Sequence, residues 1–90
     1  MKSTAPLKIL CTAYLPDYRL NIHPNEGADL GLMMTRYVVT VEDGLQAELL
    51  LVNECRKESV EMGQKFWERL GKPDKAILSF DGSVLRIEKA

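Results

Sequence analysis

His23 is the single histidine of the chain, and Pro24, Asn25 and Glu26 follow it directly. An imidazole that titrates near neutral pH is the usual general base, and strand ends and loops are where such groups sit. Here, however, it falls out of phase with Tyr18, Leu20 and Ile22, which alternate as one face of a strand. That phase turns His23 toward solvent, and the expectation is an exposed histidine without a chemical role. Cys55, next to Arg56 and Lys57, is the candidate nucleophile, because a helix N-terminus and nearby cations lower a thiol pKa. It nevertheless repeats at helical spacing with Met62 and Phe66, which points it at a core instead.

Metal binding needs several ligands at short spacing. Cys11, His23 and Cys55 are scattered, with no Cys-x-x-Cys or His-x-x-x-His pair, and the adjacent Met33 and Met34 would face opposite sides of a strand. Neither metal nor cofactor is expected. Glu54, Glu58 and Glu61 line one side of a helix, but Lys57 and Lys65 are interspersed, which describes a solvated face. Gly27 and Gly31 lack the lysine of a phosphate-binding loop.

The elements that would position these groups follow from periodicity. Residues 7–15 alternate as a strand, Pro16-Asp17 supplies a turn, and residues 18–23 alternate again. Residues 25–31 read as a glycine-containing loop. Residues 33–41, rich in Thr, Tyr and Val, carry the strongest strand signal, and Asp43-Gly44 marks a hairpin turn after them. Between residues 45 and 70 the reading divides. A single long helix places Leu50 and Leu51 on its charged face, whereas Val52, Cys55, Met62, Phe66, Trp67 and Leu70 share one arc. The favoured reading is therefore a strand over residues 45–52 and a helix over residues 54–70, ended by Gly71 and Pro73. Strands over residues 76–80 and 84–87, joined by Asp81-Gly82, complete the chain. The predicted fold is α+β: a mostly antiparallel sheet of five or six strands, ordered β-β-β-β-α-β-β, with one amphipathic helix on one face. No internal repeat is evident.

Ninety residues, 46% of them hydrophobic, suit one small globular domain with a loose N-terminus over residues 1–6. The charge balance is 12 basic against 13 acidic residues. No basic stretch of the kind a dedicated nucleic-acid binder carries is present, and no apolar run approaches the ~20 residues of a membrane helix. The apolar stretch after Pro6 is too short and interrupted for a signal peptide. Two cysteines are too few for a secreted disulfide scaffold, so both are expected as buried free thiols in the cytoplasm.

With no catalytic constellation in view, the expected function is a non-catalytic interaction module: a regulatory, adaptor or inhibitor protein working through protein contacts. Trp67 with Arg56 is one candidate contact, since tryptophan and arginine are frequent interface anchors. The acidic segment holding Glu26, Asp29, Glu42 and Asp43 is another, suited to a basic partner. Self-association would add burial to so short a chain. Two alternatives stand beside this reading. One is a nucleic-acid-associated protein using sheet aromatics with Lys2, Lys8, Arg19 and Arg36. The other is a small enzyme using His23 or Cys55.

Overall fold

The computed structural model describes residues 2–41 and 44–90. Its elements run β1 (Lys2–Ser3), β2 (Leu7–Cys11), β3 (Arg19–Ile22), α1 (Pro24–Asp29), β4 (Arg36–Val41), β5 (Gln46–Leu51), β6 (Ser59–Met62), α2 (Gln64–Arg69), β7 (Lys75–Phe80) and β8 (Val84–Lys89). The strands follow the order β1-β7-β2-β6-β3-β5-β4-β8, and β8 returns to pair with β7. The sheet therefore closes into a seven-stranded barrel, with both parallel and antiparallel neighbours. The predicted open α+β sheet, mostly antiparallel and covered by one helix, is not what forms.

Strand pairing shows why. Successive strands usually lie side by side, but β2 and β3 do not, because β6 runs between them. β2 is parallel to β6, with Ile9 opposite Val60, and β3 is parallel to β5, with Leu20 opposite Leu49. The two central strands, β3 and β6, are antiparallel through Leu20–Met62, Asn21–Glu61 and Ile22–Val60. Closure leaves an interior wide enough only for side chains. Leu20, Ile22, Leu49, Val60, Met62, Leu78 and Leu85 fill it, all fully buried.

The chain is also a structural repeat that no motif announces. α1 begins at residue 24 and α2 at residue 64, and β3 and β6 begin at 19 and 59. Backbone hydrogen bonds repeat with the same forty-residue step. Thr12 N donates to Met62 O as Val52 N does to Ile22 O, and Lys8 N donates to Glu58 O as Glu48 N does to Tyr18 O. The two halves are thus interlocked β-β-α-β units, each lending its first strand to the other's sheet. Both helices end at a glycine in the left-handed region, Gly31 (φ 75°) and Gly71 (φ 87°), where L-residues are strained.

The expected helix over residues 54–70 is replaced by a loop, β6 and the six-residue α2. Glu58 sits at φ 61°, which no right-handed helix admits. Gly63, in extended conformation, then separates β6 from α2. The apolar arc was real, but it is shared between two elements: Val60 and Met62 enter the barrel from a strand, and Phe66 caps it from a helix. Residues 25–31, expected as loop, instead contain most of α1. Lys2 and Ser3, placed in the loose N-terminus, pair with Phe80 and Ser79. The remaining strand expectations agree with β2 to β5, β7 and β8, with β2 stopping at Cys11. In the β7–β8 turn the Asp81 carboxylate accepts the Val84 amide and then the Ser83 amide, which holds its pKa below the usual value.

Candidate functional site

The packed interior leaves the outer surface as the place for recognition. Its most distinctive part surrounds the start of β4. Tyr37 Oη accepts the backbone N–H groups of both Met33 and Met34 at 2.9 Å, while its ring packs against the core. One phenol therefore pins the turn that holds both methionine side chains outward, 93% and 66% exposed. Val38, on the outer face of β4, is 64% exposed. Adjacent to it, an open groove of about 450 Å³ lies between residues 16–19 and the outer faces of β4 and β5.

Three charges organise that groove. Glu48 Oε2 accepts from Arg36 Nε at 2.9 Å, lies 2.8 Å from Arg36 Nη2 and 3.7 Å from Arg19 Nη2. Two guanidinium groups thus converge on a single carboxylate oxygen. Arg19 Nε is sealed from solvent and has no hydrogen-bond partner. An unsatisfied donor of this kind carries a desolvation cost that an added acceptor would relieve. The nearby Asp17 is occupied by Lys65 at 3.5 Å.

The residues singled out by sequence are mostly dispersed. His23 does not stand free. It is half-buried and caps α1, its Nδ1 accepting the Asn25 amide at 3.0 Å, which occupies the lone pair a general base would use. Cys11 is exposed, contrary to expectation, because β2 ends there. Cys55 is buried as expected, though in a loop and not in a helical turn; its thiol donates to Asn21 O at 3.5 Å. Burial, then the carboxylates of Glu61 and Glu26, push its pKa up to about 11. At pH 8 only about 0.1% would be thiolate. Cys55 should therefore react with a maleimide or disulfide reagent at least about 100-fold more slowly than Cys11, as mass-resolved labelling of the two peptides would show.

The same raised pKa links stability to alkali. The folded chain keeps the Cys55 proton to a higher pH than the unfolded chain, whose thiol titrates near 9.0. This contribution is complete below pH 9 and is lost as pH rises through about 11. About 2–3 kcal/mol is at stake, and a Cys55→Ala variant should show a correspondingly flatter loss of stability over that window.

Of the expected contact residues, Glu26 is only 3% exposed, with Oε2 unpartnered, so its carboxylate is not on offer to a basic partner. Asp29 is exposed, and Glu42 and Asp43 lie outside the described residues. Trp67 is half-buried. Its indole N–H donates to Pro73 O at 2.9 Å, and Lys72 stands 5.9 Å from the ring centroid. Arg56 belongs to the loop that Val52 ties to β3, not to the helix bearing Trp67. The groove and the methionine turn were missed. Only the Met33-Met34 doublet hinted at them, since two adjacent large apolar side chains cannot both enter one side of a strand.

Among the described residues no group of three or more His, Cys, Asp or Glu side chains is placed to hold a metal ion, and no helix is long and apolar enough to cross a membrane. Comparison of the chain with protein families, characterised proteins and solved structures finds no match.

Proposed function

We propose that this protein is a non-catalytic interaction module, acting as a regulatory, adaptor or inhibitor protein through contacts made by the start of β4. The observation that carries this reading is the pinned turn: Tyr37 fixes the backbone of Met33 and Met34 while leaving their side chains in water. Methionine adapts its shape to apolar partners, and a pre-ordered backbone reduces the entropy lost on docking. Val38 is a further exposed apolar side chain on β4, on the same face as Arg36, which pairs with Glu48. The raised pKa of Cys55 and the capping role of His23 weigh against the enzyme alternative. Arg19 and Arg36 share Glu48, which weakens them as phosphate ligands for the nucleic-acid alternative. A cytoplasmic location suits the two unpaired thiols.

The test is photo-crosslinking in the native host with a diazirine amino acid at position 33. A dominant adduct with one protein, which disappears when Met34 and Val38 are both replaced by serine, is the expected result. An adduct of twice the chain mass would identify that protein as a second copy. Absence of any protein adduct, or an adduct abolished by nuclease, would overturn the reading.

A further inference from the structure

The barrel is not closed along its full height. β4 pairs with β5 over residues 36–40, but on its other side, among the described residues, only Thr40 and Val41 meet β8. Among the described residues, therefore, residues 36–39 have a strand neighbour on one side alone. The ladder fixes which backbone groups face the gap. Leu51 N donates to Thr35 O and Val41 N to Leu45 O, so residues 35, 37, 39 and 41 bond toward β5. In an antiparallel pair the intervening residues face away, which leaves the amides and carbonyls of Arg36 and Val38 directed at the open side. Unpaired strand edges are templates for another strand, and proteins usually cover or blunt them. Here the side chains of these two residues stand on the outer face, both exposed.

We propose that this gap is a docking edge for an extended, acidic segment of a partner protein, which adds as a short strand beside residues 36–39. Its backbone pairs with Arg36 and Val38, an apolar side chain lies across from Val38, and a carboxylate two residues away meets Arg36. Cross-strand neighbours at ~5 Å make both contacts direct. The charge arrangement favours an acidic occupant over a basic one. Arg36 now shares Glu48 with Arg19, whose contact is the longer, 3.7 against 2.8 Å. When Arg36 turns to the incoming carboxylate, Glu48 is released toward Arg19, whose unpartnered Nε gains an acceptor. The two arginines then hold two carboxylates where they previously held one.

This inference rests on the interaction-module reading and names the chemistry of its partner. The probe is a capped Glu-Thr-Val-Thr-Glu peptide, which places valine between two carboxylates on one face in either strand direction. Titration into the 15N-labelled protein should shift the Arg36 and Val38 amides most. Arg36→Glu should weaken binding at least tenfold and confer binding of the Lys-Thr-Val-Thr-Lys peptide, with the rest of the amide spectrum unchanged. A backbone N-methylated version of the acidic peptide should not bind. The inference is overturned by a spectrum indifferent to millimolar peptide, by unchanged affinity in Arg36→Glu, or by equal binding of the N-methylated peptide. If position 33 still crosslinks to a protein after any of these results, the docking edge falls and the broader reading stands.

Discussion

Phe66→Ala is expected to lower the unfolding free energy by about 3–5 kcal/mol. Phe66 is fully buried and meets Tyr18 edge-on, with ring centroids 5.8 Å apart and planes inclined at 61°. It comes from α2, whereas Tyr18 precedes β3, so this contact fastens one repeat to the other. Alanine would remove the ring, leave a cavity at the mouth of the barrel, and deprive Tyr18 of its aromatic partner. Domains of this size hold only ~5–15 kcal/mol in total, so the loss is a large share of the whole and should bring a clear drop in the denaturation midpoint. Urea denaturation followed by tryptophan fluorescence would report the change, since Trp67 is the adjacent residue. A loss below about 1 kcal/mol would mean that Phe66 does not close the core.

Gly63→Ala should be the next most damaging change, at about 2–3 kcal/mol. Its φ of −69° is open to any residue, so the objection is not conformational. A Cβ there would stand 2.6 Å from Pro16 O and 3.1 Å from Asp17 O. These are backbone atoms of the connection that leads from β2 to β3 across the start of α2, and they cannot yield without moving the crossing. Gly27→Ala is the control. Its Cβ would meet a methyl of half-buried Leu51 and stand 2.8 Å from Leu51 Cγ, so the whole side chain must swing about its first torsion, but no backbone atom is in the way. Alanine also favours the helix over glycine by about 1 kcal/mol, so the net effect should stay within about 1 kcal/mol of zero. The same substitution at two helix-proximal glycines should thus give very different denaturation midpoints.

What the sequence makes legible is local. Alternation in Leu20-Asn21-Ile22 and in residues 36–41 is true to the strands found there, and Asp81-Gly82 does mark a hairpin. Periodicity fails where one pattern serves two elements. Val60, Met62 and Phe66 fit a helical arc, yet two belong to a strand, and the alternation Val60-Glu61-Met62 is too brief to stand out beside it. The closure could not be read at all, because β2 lies beside β6 through contacts some fifty residues apart, Ile9 with Val60 among them. One signal was available and faint: Leu30-Gly31 and Leu70-Gly71 recur forty residues apart, each near the end of a helix. Little else is repeated, since barrel positions ask only for apolar side chains of suitable volume and tolerate many solutions. The candidate surface was hidden for a related reason. The gap beside residues 36–39 arises from where β8 begins, which is a property of register and not of composition.

Interstrand nuclear Overhauser effects decide the architecture most directly, since the interlocked repeat places pairs of distant residues side by side. Cross-peaks are expected between the backbones of Ile9 and Val60 and of Leu20 and Leu49, together with strand-like shifts over Ser59–Met62. Sequential amide–amide contacts running unbroken from residue 54 to residue 70, with those cross-peaks absent, would contradict that architecture.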